Sequence, residues 1–280
     1  MQHPEIGEWS VLKNEIIDMY TQAYLTIMNN QPWCRGTLYV DAFAGATENV
    51  NRKTQELVPG SAKRALEKEL KFSDYYFVDT NRFRVDGLRS LAEGNSHVHV
   101  FHDDGNRILR DHVIPQLQHK ERRRGFVLLD PYGLQLEWDV VRSLGATRSA
   151  DVAINFPTMD INRNSALREQ LAIGEANAAR MSKWWGDDSW IGQFYGPGPK
   201  WLHGESGNRK VVNNDEIVQI YRQRLQDEGG FGFVTEPLPM KNSQNAVLYY
   251  ILLASNNETA VRIMNEILDK YRKPRNLTLF

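Results

Sequence analysis

Four short runs put a carboxylate where an apolar stretch gives way to a loop: Asp41 in DAFAG, Asp79 in YYFVDT, Asp103 and Asp104 before Asn106, and Asp130 in LLDPYG. Acids at the carboxyl ends of successive parallel strands share one edge of a sheet, where doubly wound folds take nucleotides. Gly45 lets the backbone approach a ligand closely, and Phe43, Ala44 and Ala46 complete a loop with room for one. Asp79, followed by Thr80, can accept both hydroxyls of a ribose, and Asp104 with Asn106 can hydrogen-bond an adenine. Pro131 and Gly133 stiffen the turn that presents Asp130 and Tyr132, a carboxylate suited to an amine nucleophile and a ring suited to stacking. Each run also has a plainer reading. Asp79 can cap a helix, D-P-x-G is a common turn, and the fingerprint G-x-G-x-x-G is absent from the first loop. Their succession along the chain is what points to a site.

The elements that must position these acids read as strands over 37–43, 75–78, 98–101, 126–129 and 152–156, alternating with helices over 62–70, 82–91, 106–118 and 138–144. That alternation predicts a parallel sheet covered on both faces. A long amphipathic helix over 10–30, capped by Ser10, precedes it; Ser61 is the expected cap of the helix over 62–70. The stretch 159–207 breaks the rhythm with Trp184, Trp185, Trp190, Tyr195, Trp201 and the run YGPGPK, and reads as an insertion or lid whose aromatics suit a small core of their own. Runs over 232–237 and 247–254 suit an antiparallel pair at the sheet edge, with helices over 215–225 and 259–271 around them. The expected organisation is an N-terminal helical extension (1–36), a nucleotide-binding core (37–158), the insertion (159–210) and a C-terminal completion of the sheet (211–280).

Composition bounds the function. The 280 residues are 41% hydrophobic and 25% charged, with a formal net charge of -1, which excludes a polybasic binder and a disordered chain. The single Cys34 excludes an intramolecular disulfide framework and a multi-thiolate metal site. No signal-like N-terminus and no membrane-length apolar run is present, so a cytoplasmic protein is expected, with no metal and no membrane partner. His97 and His99 share a strand face with no further ligand nearby. The loop from His119 to Gly125 holds Arg122, Arg123 and Arg124, read either as a solvated turn or as a phosphate-contacting patch.

The runs DAFAG, GSAKRAL, FVDTN, DGNRIL, LLDPYGL and DVAINFP together resemble the class I S-adenosylmethionine-dependent methyltransferases, and within them the three-Cys-motif partner proteins. The likeness covers about residues 9–157 well and the last third loosely. It implies a Rossmann-like α/β fold with a mostly parallel sheet and an antiparallel C-terminal edge, and S-adenosylmethionine as cofactor. It also implies a prokaryotic association with a three-cysteine, radical-S-adenosylmethionine-like protein. On that resemblance, Asp41, Phe43, Ala44, Gly45, Asp79, Thr80, Asp104 and Asn106 would hold the cofactor. Asp130, Pro131 and Tyr132 would act in transfer, and Gly60, Ser61 and Arg122–Arg124 would meet an acceptor, with nucleic acid expected. The sequence departs from the family at Gly45-Ala46-Thr47, which lacks a second glycine, and at DPYG, which lacks the second proline of the amino-methyltransferase motif. Two other readings stay open: a nicotinamide-dependent oxidoreductase, and a noncatalytic docking partner that keeps the fold.

Overall fold

Alternation of apolar side chains along the strands sets the architecture of the computed structural model, which describes residues 3–197 and 208–272. Five parallel strands form: β1 (Gly36–Asp41), β2 (Asp74–Asp79), β3 (Val98–His102), β4 (Arg123–Leu129) and β5 (Ala150–Phe156). Leu38 and Val40 point into one core and Tyr39 into the other; Val127 and Leu129 divide from Phe126 and Leu128 in the same way. A strand apolar on both faces must be covered on both faces.

Beyond β5 come β6 (Leu238–Lys241) and β7 (Val247–Ser255), and the order across the sheet is β3-β2-β1-β4-β5-β7-β6. β7 runs antiparallel to both β5 and β6, and the two-residue strand Phe233–Val234 also pairs with it, making eight strands. This is the Rossmann-like methyltransferase architecture, with its antiparallel C-terminal edge. The edge strand expected over 232–237 starts later, at Leu238, after Pro237.

Four helices cover one face: α1 (Glu8–Met28), α2 (Ser61–Glu67), α3 (Arg82–Ala92) and, from the far end of the chain, α10 (Glu258–Arg272). The other face carries α4 (Gly105–Ile108), α5 (Trp138–Thr147), α6 (Thr158–Asn164), α7 (Glu175–Trp185), α8 (Ser189–Phe194) and α9 (Asn214–Asp227). α1 starts two residues before the expected Ser10 cap, after Gly7, and Gly60 rather than Ser61 precedes α2. The helix expected over 106–118 is short: after Ile108 the chain widens over Leu109–Val113 and tightens over Ile114–Leu117, where Pro115 cannot donate to the helical ladder.

Both flanking segments are built into the cores. Ile16, Ile17, Tyr20 and Tyr24 of α1 are buried against Tyr39 and Phe126, and the Tyr20 hydroxyl donates to Asp151 at 2.8 Å. Trp184, Trp185 and Trp190 are each buried, and Trp184 stacks on Tyr221 at 4.7 Å. The buried Arg224 guanidinium lies 5.0 Å from Trp138 and 5.7 Å from Trp185 while bonding Asp187 and Glu228. The aromatic insertion is therefore part of the main core; Trp201 and the end of the YGPGPK run lie outside the described residues. A satellite sheet, Glu5–Ile6, Glu48–Asn51 and Leu57–Pro59, fills the connection between β1 and α2. Among the described residues no helix is long and apolar enough to cross a membrane.

Candidate active site

Because β1 to β5 are parallel, their carboxyl ends form one edge, and the order of connection reverses between β1 and β4. A crevice opens at such a reversal. Asp41 closes β1 on one side of it and Asp130 follows β4 on the other.

The loop after β1 is held from both sides. The Ala42 N–H donates to Leu128 O at 3.3 Å and the Ala44 N–H to Val78 O at 2.8 Å, so the chain leans from β4 across to β2. Gly45 then turns with φ +67°, and the space where its Cβ would stand meets nothing nearer than Phe43 O at 4.0 Å. The Gly45 N–H donates to Asp79 Oδ2 at 3.0 Å, and the Asn81 N–H donates to Asp79 Oδ1 at 2.7 Å. Arg84 pairs with the same carboxylate at 3.4 Å. The cap of α3 is Asn81, which accepts from Phe83 and Arg84 N–H; Asp79 is left to brace the glycine loop and face the crevice.

Asp104 caps α4, accepting the Arg107 N–H at 3.1 Å, while its neighbour Asp103 pairs with Arg107. Asn106 is buried, donates to Gln135 O at 2.9 Å and accepts from Glu137 N–H at 2.9 Å, so its amide holds the β4–α5 loop. Thr80 O bonds His102 Nε2 at 3.0 Å, linking the ends of β2 and β3. Phe43 lies beside Gly105, whose absent Cβ would stand 2.4 Å from Ala42 O. Gly60 makes a similar close approach, 2.1 Å to Ala46 O, and Ser61 Oγ donates to Asp41 Oδ2 at 2.6 Å. Gly60 and Ser61 thus shape the first loop and its acid.

Asp41 is fully buried, and that burial pushes its carboxyl up to about 7; the nearby Asp130 adds to the rise, while Ser61, the Phe43 N–H and Lys13 oppose it. A folded pKa above the unfolded value means the folded chain holds this proton more tightly. The associated stability is full below about pH 4 and is lost as pH rises through about 7. Asp41→Asn, which carries no proton to lose, is therefore expected to gain on the parent in melting temperature between pH 5 and pH 8. Melting curves across that range check it; parallel pH profiles for the two proteins would remove Asp41 as the titrating group.

The turn after β4 is clamped by Asp160 of α6, which accepts the Leu134 N–H at 3.0 Å and pairs with Arg180 at 2.9 Å. Gly133 has φ +75°, and a Cβ there would stand 2.6 Å from Asp160. Pro131 is buried and Tyr132 is 91% exposed. Asp130 meets Lys13 of α1 in an ion pair and accepts a hydrogen bond from Asn155 of β5. Burial alone would lower the Lys13 pKa; the attraction of Asp130, with smaller help from Tyr249 and Asp41, raises it instead. The Asn155 Oδ1 is buried without a hydrogen-bond partner. Lys13 and Asn155 were not legible as site residues: one looks like a solvated position on an amphipathic helix, the other like a strand end. Only the packing of α1 across β4 and β5 brings them to Asp130.

The arginine run is elsewhere. Arg123 lies opposite Gly36 at the amino ends of β4 and β1, so Arg122–Arg124 face away from the acids across the length of the strand. His97 and His99 sit at that end too, each 3.6 Å from Asp74.

The crevice thus offers an open glycine loop, a braced acid on β2, a buried acid on β1 and an acid, a lysine and an orphaned amide oxygen near β4. An adenosyl cofactor with a positively charged sulfur fits that donor set: Asp79 for a ribose, room at Gly45 for close backbone approach, and the anionic pair Asp41 and Asp130 for the cation.

No family model and no curated protein matches the chain. Among solved structures, a Legionella pneumophila protein of the DUF519 family is similar over 91% of each chain at 12% identity, with a TM-score of 0.45. A Listeria monocytogenes protein, named as a candidate S-adenosylmethionine dependent methyltransferase, is similar over 86% of this chain and 99% of its own at 10% identity, with a TM-score of 0.39. Neither likeness adds to what the strand order already shows.

Proposed function

We propose that the chain is an S-adenosylmethionine-dependent methyltransferase acting on an amine, with nucleic acid as the acceptor class. The observation that carries this reading is the meeting of Asp41, Asp79 and Asp130 at the reversal point of a methyltransferase-type sheet. S-adenosylmethionine, when bound, supplies a methyl group on a cationic sulfur, so the protein's task is alignment. Asp79 and the Gly45 loop would hold the nucleoside end. Asp130 would accept a proton-bearing face of the amine, and the exposed Tyr132 would stack on the ring that carries it. The finer kinship with the three-Cys-motif partner proteins, and a three-cysteine protein as partner, rest on the sequence motifs.

A nicotinamide dinucleotide fits less well. Its pyrophosphate needs the helix N-terminus directly after β1. Here a satellite hairpin intervenes, and the start of α2 is turned on the Asp41 carboxylate through Ser61, which would meet a phosphate with like charge.

Asp79→Ala is the test of the cofactor assignment. It is expected to weaken S-adenosylmethionine binding by about 1.5–3 kcal/mol, the range for hydrogen bonds to a charged group. Calorimetric titration reads this; an unchanged dissociation constant would leave Asp79 as a loop brace alone.

A further inference from the structure

The amino edge of the sheet, opposite the acids, carries a compact set of cations without counter-charges. Arg35 leads into β1, and its N–H donates to Arg122 O at 2.9 Å, which places Arg35, Lys120 and Arg122 together. Arg124 of β4 donates to Ser149 Oγ at 3.2 Å, so Arg148 adjoins them at the start of β5. Arg35, Lys120, Arg122 and Arg148 are all exposed and have no ion-pair partner among the described residues. The nearby acids Asp74 and Asp151 are committed, to Arg123 and to Tyr20 with Ser255, which leaves Glu121 alone to oppose them. The Arg124 guanidinium lies 4.5 Å from the Trp33 ring, and that ring is 40% exposed.

Two of these arginines hold backbone conformations that their side chains disfavour: Arg122 has φ +54° and Arg148 φ +55°. Glycine or asparagine is the ordinary occupant of such a position. An exposed, unpaired arginine at two neighbouring left-handed positions exchanges backbone comfort for a guanidinium aimed outward.

Building on the nucleic-acid reading above, we infer that this edge is a second docking surface for the acceptor strand, separate from the transfer edge. Arginine forks match phosphate oxygens, and Trp33 beside Arg124 offers a face for a base. The patch is cationic and aromatic with no apolar centre of the kind a protein partner would need. β4 spans seven residues between the two edges, about 20 Å at the usual strand rise, so only an extended polyanion would engage both. The surface then governs acceptor affinity, and the crevice governs transfer.

The test uses the full chain carrying Arg122→Gly together with Arg148→Gly, substitutions that relieve the backbone while removing both charges. Binding of a single-stranded RNA and a single-stranded DNA oligonucleotide is followed by fluorescence anisotropy at low and moderate salt. The double variant is expected to melt at or above the parent temperature, bind S-adenosylmethionine unchanged, and lose about ten-fold or more in oligonucleotide affinity. Its salt dependence should be shallower by about two in log–log slope, one for each lost phosphate contact. Parent-like oligonucleotide affinity in the double variant would overturn this surface and leave the nucleic-acid reading intact. A parent protein that binds neither oligonucleotide at low salt would overturn both.

Discussion

Asp130→Asn is expected to bind S-adenosylmethionine within a few-fold of the parent and to transfer the methyl group about 10²-fold more slowly, the scale of a positioned acid–base group. The side chain follows β4, across the reversal point from the Asp79 and Gly45 contacts, and is held by Lys13 and Asn155 in a turn that Asp160 clamps. An interaction made only when the nucleophile is aligned lowers the turnover number and leaves ground-state affinity alone. Asparagine keeps the shape, so the turn survives, but it cannot take a proton and leaves Lys13 without its main partner. Lys13→Met probes the same pair from the other side. With Asp130 keeping a quarter of its side-chain surface in solvent, its loss is expected to cost about 2 kcal/mol of stability, below the range for a fully buried pair. Combining both substitutions should restore part of that stability, because neither charge is then left alone. Single-turnover rates, calorimetry and denaturant unfolding separate these effects; a parent-like rate for Asp130→Asn would reduce DPYG to a structural turn.

The second large effect is at Gly45, where Gly45→Val is expected to abolish detectable cofactor binding. Space is not the obstacle to the substitution, since the Cβ position is open. A β-branched residue cannot hold φ +67° without strain, so the loop must rearrange. That rearrangement moves the N–H now given to Asp79 and fills the place where a ligand would approach the backbone. The loop is on the surface edge of the sheet, so melting should fall by only a few degrees. Normal binding by this variant would place the cofactor elsewhere.

The parallel core was legible because buried strands are written as continuous apolar runs bounded by loop residues, and each of the five appears within a few residues of its expected place. The satellite sheet was not, because ENVN and LVP are too short and too polar to show a period. Pro115 hid the break-up of the helix after Ile108 inside an otherwise apolar pattern. At the site, single acids at strand ends were visible, whereas their company was not: Lys13 is 117 residues from Asp130 in sequence, and Asn155 is 25. The opposite error has the same root. Arg122–Arg124 looked close to the site because they precede DPYG in sequence, yet a strand separates its two ends by its own length.

The most direct measurement is parallel calorimetric titration of the parent protein with S-adenosylmethionine and with reduced and oxidised nicotinamide dinucleotide. The account predicts one S-adenosylmethionine site per chain, lost in Gly45→Val and weakened in Asp79→Ala, and no saturable heat from either nicotinamide form. Saturable nicotinamide binding with no response to S-adenosylmethionine would contradict it.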